Sequence, residues 1–296
     1  MNFRTDLALE RHEFITEEDK KGMSFDSYET GGMKISRITV KSDGAAKKLN
    51  KPKGKYITME IPFLKDSGDV CDEAIEIFAD EISSLLPEKG MVLVAGLGNR
   101  DITPDALGPE CIEKLLATRH ITPEVAKSIG FSSLRSVAGI IPGVLGNTGI
   151  ETAEILSGVV CKVKPSVLVV IDALAARSVE RLGTTVQMCD TGVSPGAGVG
   201  NRRSTVDESS MGVPVIAIGV PTVVDAVTMT LDFIESTGIK IDSRLHRSEL
   251  ASERGMMVTP KEIDCVISRS SAFIAAGLNK AFQPHIPTRD ILAIMA

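Results

Sequence analysis

Polar and apolar residues alternate along two segments near the start of the chain. These segments, residues 34–40 and 55–61, have the pattern of strands with one buried face. The stretch 44–54 between them is rich in Lys, Gly and Pro, so we expect an antiparallel pair joined by a long turn. Residues 1–30 are polar and lack a sustained period, which predicts a loosely held N-terminal arm.

Continuous apolar runs later in the chain predict strands that are covered on both faces. They lie at residues 91–95, 167–171 and 213–220, with a weaker candidate at 184–188. Apolar residues at helical spacing predict helices over residues 75–86, 109–117, 149–163, 223–234 and 260–282. The alternation predicts an α/β fold with a mostly parallel sheet flanked by helices. Residues 31–62 add a small N-terminal antiparallel β appendage.

The composition fits one globular domain that carries such an appendage. The chain has 296 residues, of which 43% are hydrophobic. Its net charge of -6 gives no overall attraction to nucleic acid or to anionic membranes, so neither is an expected partner. Five scattered cysteines without a CxxC pair favour a reducing compartment. The charged N-terminus and the lack of an apolar run of about 18 residues predict a cytoplasmic protein.

Two short motifs resemble those of familiar hydrolases. Residues 192–196 match the G-x-S-x-G pattern of serine hydrolases. That motif needs a backbone N–H on the residue after the serine, and here that residue is Pro195, which has none. Residues 190–192 read Asp-Thr-Gly, the catalytic tripeptide of pepsin-like proteases. Those enzymes use two copies, so a single copy favours an ordinary loop aspartate with at most a supporting role.

Cofactor and metal signatures are weak. Residues 96–98 read Gly-Leu-Gly after a predicted strand, but Asp101 stands where a dinucleotide fingerprint has its third glycine. The four histidines stand alone, and no Cys/His cluster accompanies them. We therefore expect no metal site and no cofactor.

Two aspartates remain as candidates for chemistry. Asp105 follows the first apolar run of the predicted sheet, and Asp172 ends the most apolar one. If the two strands are neighbours, both carboxylates reach one cleft, since the carboxyl ends of parallel strands share an edge. Two carboxyl groups in one site lose their protons at different pH values. The ionised one can act as a base toward water, and the protonated one as an acid toward the leaving group. From spacing alone, helix capping is the favoured role for each aspartate.

Several longer motifs around these aspartates resemble the germination protease family of spore-forming bacteria. They lie at residues 94–99, 103–109, 118–120, 142–144, 149–152, 171–177, 194–201, 214–226 and 257–262. The resemblance runs from Arg4 almost to the C-terminus. Between about residues 230 and 256 the chain is shorter than familiar family members, which leaves zymogen control and oligomer contacts open.

The resemblance implies an atypical aspartic endopeptidase with a fold like that of hydrogenase maturation peptidases. Asp105 and Asp172 match the two catalytic aspartates of the family. The implied substrates are small acid-soluble spore proteins, degraded in the spore core during germination. The family also implies a homo-oligomer, a tetramer. We expect Asn99 and the glycines Gly196, Gly198 and Gly200 to position the substrate or to stabilise the oxyanion.

The resemblance further implies a self-processing zymogen. Residues 4–10 resemble the family processing site, with the cut between Asp6 and Leu7. Residues 1–6 would then form a propeptide, and residues 7–296 a single peptidase domain.

Three other functions stay open from the sequence alone. A nickel-sensing peptidase of the hydrogenase maturation type is the nearest enzymatic alternative. A non-catalytic binder could use the loop 190–212 to hold small basic proteins. A nucleotide enzyme could use the glycines at 96 and 196–200 to hold phosphate.

Overall fold

Nine strands form one mixed sheet in the described part of the chain. The computed structural model describes residues 4–64, 71–128, 130–131, 133–196, 203–237 and 255–296. The strands are β1 (Met23–Thr30), β2 (Met33–Val40), β3 (Gly54–Glu60), β4 (Val92–Gly96), β5 (Val137–Ile140), β6 (Val167–Ala176), β7 (Thr185–Cys189), β8 (Val215–Asp225) and β9 (Met257–Val258).

Helices cover both faces of this sheet. They are α1 (Ala8–Glu13), α2 (Asp43–Leu49), α3 (Asp72–Ser83), α4 (Leu107–Glu113), α5 (Pro123–Ser128), α6 (Leu145–Thr148), α7 (Thr152–Val163), α8 (Glu208–Met211), α9 (Ala226–Ser236), α10 (Ile263–Phe282) and α11 (Thr288–Met295). Single 3₁₀ turns occupy Pro62–Leu64, Thr103–Asp105 and Val179–Arg181.

The sheet has a parallel half and an antiparallel half. The strand order is β1-β2-β3-β7-β8-β6-β4-β5, and β9 pairs with β8. Strands β8, β6, β4 and β5 run parallel to one another. From β8 through β7 and β3 to β1, each pair is antiparallel. The two halves therefore meet where β7 lies beside β8.

Alternate residues of the central strands supply two separate cores. Along β6, Val167, Val169 and Ile171 pack on the face that α3, α4 and α10 cover. Leu168 and Val170 pack on the opposite face, with Ala8 of α1 and Leu156 of α7. Because β6 is buried on both faces, its sequence is a continuous apolar run rather than an alternating one.

The predicted α/β fold class is confirmed, and so is the antiparallel β appendage. The appendage pairs through β3 with β7, so it continues the main sheet. The long turn predicted between β2 and β3 contains α2, whose N-terminus is capped by the Ser42 side chain. The helix predicted from residue 223 begins later, at Ala226, because residues 223 and 224 still pair with β6.

The prediction of a loosely held N-terminal arm is wrong for residues 4–30. This segment carries α1 and β1, and both Leu7 and Ala8 have 0% exposure. The side chains of β1 are mostly exposed, so its sequence has no apolar period. Its place in the sheet comes from backbone pairing with β2, which does not depend on a hydrophobic pattern.

Candidate functional site

The turn after β4 places Asp105 at the carboxyl edge of the sheet. The backbone N–H of Asn99 donates a hydrogen bond of 2.8 Å to Oδ2 of Asp105. Gly98 lies between this bond and the end of β4 with φ +108, and a Cβ there would collide with the carbonyl oxygen of Asp105. Glycine is therefore required for this tight turn, and the turn fixes the carboxylate beside the strand.

Asp172 lies in β6, one residue past the end of its pairing with β4. The last pair of that ladder is Gly96 with Ile171. On the other side, Asp172 lies opposite Gly219 of β8. The residue is 7% exposed, and its Oδ1 accepts a hydrogen bond of 3.0 Å from the N–H of Ala173. Neighbouring parallel strands therefore bring both aspartates to one edge, as predicted from the sequence.

Helix capping does not account for either aspartate. The N-cap residue of α4 is Ala106, and no side chain caps that helix. The segment after Asp172 continues as strand β6 to Ala176. Both carboxyl groups are therefore free of a helix-capping role.

Burial opposes ionisation of both carboxyl groups, and the charge of Asp105 further opposes ionisation of Asp172. The pKa of Asp172 is raised well above its ordinary value, chiefly by burial and then by the charges of Asp105 and Asp6. Burial also raises the pKa of Asp105, although the hydrogen bond from Asn99 partly offsets this. One carboxyl of such a pair holds a proton while the other is ionised, which is the condition for combined acid and base chemistry.

The N-terminal segment runs into this site. The N–H of Asp6 donates a hydrogen bond of 2.8 Å to the carbonyl oxygen of Ala175. In return, the N–H of Ala175 donates one of 2.9 Å to Oδ2 of Asp6. Ala175 is three residues beyond Asp172 on β6, so Asp6 is held at the strand end that carries the aspartate pair.

Two side chains donate hydrogen bonds to the carbonyl oxygen of Asp6. Nζ of Lys51, just after α2, lies 2.7 Å from this oxygen. Nε2 of Gln187, on β7, lies 3.1 Å from it. Oε1 of the same Gln187 accepts a hydrogen bond of 2.6 Å from the N–H of Ala8. The side chain of Gln187 thus contacts the main chain on both sides of the bond between Asp6 and Leu7.

The residues after Asp6 are anchored in the fold. Leu7 packs in a small apolar cluster with Leu174, Ala176, Leu182 and Val224. The carboxylate of Glu10 accepts hydrogen bonds from the N–H groups of Arg177 (2.8 Å) and Ser178 (3.0 Å). Burial raises the pKa of Glu10. A groove of about 500 Å³ lies beside α1 and is lined by Glu10, Glu13, Phe14 and Arg181 among others, but by neither Asp105 nor Asp172.

The predicted substrate-binding residues are described only in part. Asn99 acts through its main chain on Asp105, and its side-chain Oδ1 accepts a hydrogen bond from the N–H of Asp101. Gly196 has φ +72, in the left-handed region that glycine favours. Gly198 and Gly200 lie outside the described residues. A substrate-binding role for all four stays a prediction.

The hydrolase-like motifs at 190–196 have local structural partners. Oδ1 of Asp190 accepts a hydrogen bond of 2.7 Å from the N–H of Lys55, which holds the start of β3. Oγ of Ser194 lies 3.2 Å from Oγ1 of Thr205. Asp190 is thus a loop aspartate, as its single tripeptide indicated.

Neither a metal cluster nor a membrane span is found in the described ranges. No three or more His, Cys, Asp or Glu side chains are grouped there so as to hold a metal ion. Likewise, none of the described helices combines the length and the apolar character needed to cross a bilayer.

Sequence reasoning missed the residues that contact Asp6. Gln187 carried a usable signal, because it is a polar residue in β7, whose five residues are all buried. Such a side chain needs a partner, or it costs free energy. Lys51 carried no signal, since it is one of several lysines in a segment predicted to be a turn.

Comparisons with known proteins give a consistent family match. A sequence model described as germination protease matches residues 4–239. The germination protease of Caldanaerobacter subterraneus subsp. tengcongensis is 42% identical, over 98% of this chain and 97% of the relative. Those of Clostridium tetani (41%, 98% of each chain) and Bacillus cereus (36%, 96% of this chain and 94% of the relative) are also similar.

Among solved structures, a NiFe hydrogenase maturation protease from Thermococcus kodakarensis KOD1 is similar to part of the chain. The two share 16% sequence identity with a TM-score of 0.38, over 69% of this chain and 99% of that one.

Proposed function

The chain belongs to the germination protease family and is a protease, and from this premise we propose that Asp105 and Asp172 carry out its chemistry. The observation that supports this is the pair itself. Two parallel strands bring the buried carboxyl of Asp172 and the carboxyl of Asp105 to one edge, where the charge of Asp105 opposes ionisation of Asp172. This makes the protein an aspartic endopeptidase of an atypical, α/β kind.

In this mechanism the two aspartates have different roles. Asp105 is the less buried of the pair, and its ionised carboxylate takes a proton from the attacking water. Asp172, whose pKa is raised more strongly, holds a proton and gives it to the leaving amine. The water oxygen bonds to the carbonyl carbon, the C–N bond breaks, and a carboxyl group and an amine result.

The first substrate of the site is the chain itself, cut between Asp6 and Leu7. The segment that carries this bond is bound to Ala175, beyond Asp172 on the same strand. Cleavage would release residues 1–6 as a propeptide and leave residues 7–296 as the mature peptidase domain. The contacts of Glu10 with Arg177 and Ser178 would hold the new N-terminus in place.

Proteins of the spore are the proposed substrates in trans. The names of the relatives support a role in germination, and the family resemblance supports small acid-soluble spore proteins as the targets. The enzyme would then act in the cytoplasm of the spore core. Assembly as a homotetramer is proposed on the same resemblance alone.

The first test compares the wild type with Asp105→Asn, Asp172→Asn and the control Asp101→Asn by intact-mass spectrometry over time. Asp101 is an exposed carboxylate in the same turn as Asn99. The wild type and the control should convert to a chain that begins at Leu7, while both dyad variants should stay whole. Circular dichroism would check that all four are folded. Processing of Asp105→Asn or Asp172→Asn at the wild-type rate would show that the dyad is not the catalyst.

A further inference from the structure

The carbonyl oxygen of Asp6 has an unusual pair of partners. Lys51 lies just after α2 and Gln187 lies in the middle of β7. Both direct a side-chain donor at this one oxygen. Main-chain carbonyls mostly pair with backbone N–H groups or with water. Here an ammonium group and an amide replace those partners.

The ammonium group of Lys51 lies at this oxygen although burying its charge costs free energy. Lys51 is partly buried, and burial lowers the pKa of its side chain, while the nearby carboxylate of Asp6 raises it. A positive charge that is removed from water and directed at an uncharged carbonyl gains little while the oxygen stays neutral. It gains much more if the oxygen becomes negative, since electrostatic attraction is stronger where water is excluded.

We infer that Lys51 and Gln187 form the oxyanion site for cleavage of the Asp6–Leu7 bond. This inference rests on the proposed self-processing. When water attacks the carbonyl carbon, the electron pair of the C=O bond moves to the oxygen that both side chains contact. When the C–N bond then breaks, that pair restores the carbonyl, and the leaving nitrogen of Leu7 takes the proton from Asp172. Donors already in place at such an oxygen stabilise the transition state more than the ground state.

Gln187 has a second effect, because it also fixes the orientation of the peptide bond between Asp6 and Leu7. Its Nε2 donates to the carbonyl of Asp6, and its Oε1 accepts from the N–H of Ala8. Asp172, Gly219 and Gln187 lie in one row across three neighbouring strands. Gly219 has no side chain, and the side chain of Leu174 packs over it. The contacts of Gln187 would serve any peptide in trans, because they involve main-chain atoms alone.

The competing role for these two side chains is purely structural, as a tether that only holds the N-terminal segment in place. Four variants distinguish this role from that of an oxyanion site. Lys51→Met removes the charge and the donor. Gln187→Glu keeps an acceptor for Ala8 but removes the donor to Asp6. Lys51→Arg keeps a charged donor, and Lys53→Met is a matched control, since Lys53 forms its ion pair with Asp43 on the surface.

The first readout is the first-order rate at which the full chain converts to one beginning at Leu7. We expect Lys51→Met and Gln187→Glu to be slower by about 100-fold or more, as with loss of an oxyanion donor in other hydrolases. Lys51→Arg should recover part of the loss, and Lys53→Met should match the wild type. Thermal unfolding of each variant would show whether it is folded.

The second readout is hydrogen exchange of residues 4–12, measured in the Asp172→Asn background so that no chain is cut. Protection should change little in Lys51→Met and Gln187→Glu, because Ala175 and Glu10 still hold the segment. Protection that falls in proportion to the rate would show a tether and overturn the inference. If Lys51→Met and Gln187→Glu are both cut at the wild-type rate while Asp172→Asn is not cut, the oxyanion inference is overturned but the self-processing is not. A wild type that is not cut at all would overturn the self-processing as well.

Discussion

At the scale of single residues, the buried carboxyl of Asp172 links its proposed role to the stability of the fold. It accepts a hydrogen bond from Ala173, and its pKa is raised by burial and by Asp105 and Asp6. A group held in this way favours its protonated form in the folded chain but not in the unfolded one. Keeping this carboxyl protonated therefore lowers the stability of the fold at pH values where an unfolded aspartate is ionised.

The sign of this linkage gives a test by pH. Unfolded aspartate titrates near pH 3.9, roughly, so above that pH the unfolded chain releases a proton that the native chain keeps. Stability then falls as pH rises from about 4 through the raised pKa of Asp172. In an Asp105→Asn background, adding Asp172→Asn should raise the melting temperature at pH 7.5. The difference should shrink toward pH 4.

Both chains in that comparison stay uncut if the dyad is the catalyst, which intact mass would verify. The burial of Asp172 and the charge of Asp6 are both still present in the Asp105→Asn background. An equal or lower melting temperature for the double variant at pH 7.5 would contradict a raised pKa at Asp172.

At the scale of elements, the sequence predicts strands that are buried on both faces of the sheet. It does not predict elements whose position depends on backbone pairing or tertiary contacts. Strands β6 and β8 were predicted because a short continuous apolar run in an α/β protein is typical of a strand covered on both faces. The short helix α1 could not be found in the same way. It is six residues long, too short to show a period, and isolated helices of that length are not stable. Its position comes from tertiary contacts such as those of Leu7 and Glu10.

Strand β8 offers a prediction of its own at Gly219. A Cβ added there would lie 2.5 Å from Cγ of Leu174, which itself packs against Leu7. Gly219→Ala should therefore overpack the site, lower the free energy of unfolding by about 1–3 kcal/mol, and slow self-processing by displacing the N-terminal segment. Urea unfolding and the intact-mass time course would measure the two effects.

Gly158 provides the matched control for that variant. It lies in α7, and a Cβ added there would meet no atom within 4 Å. Gly158→Ala should be neutral or stabilising by up to about 1 kcal/mol, since alanine is the better helix former. Equal stability of the two alanine variants would mean that Leu174 moves aside at little cost.

At the scale of the whole molecule, the site is assembled from segments that are far apart in the chain. The aspartate pair could be predicted, because the carboxyl ends of parallel strands meet at one edge whatever lies between them. The partners of Asp6 could not be predicted. Lys51 comes from the connection between β2 and β3, and Gln187 from the strand where the parallel and antiparallel halves meet. That junction depends on strand order, which local sequence patterns do not specify.

This arrangement also determines how the rate of the proposed self-processing should depend on protein concentration. Asp6 is held by Ala175, Lys51 and Gln187 of the same chain, so the cut should occur within one molecule. The half-time of conversion to a chain beginning at Leu7 should then be constant over a protein concentration range of about 100-fold, because no encounter between molecules is needed. In a mixture, isotopically labelled Asp172→Asn chains should stay whole while the unlabelled wild type is cut. A half-time that shortens with concentration, together with cleavage of the labelled chains, would mean that the N-terminal segment leaves its own site and is cut by a neighbouring molecule.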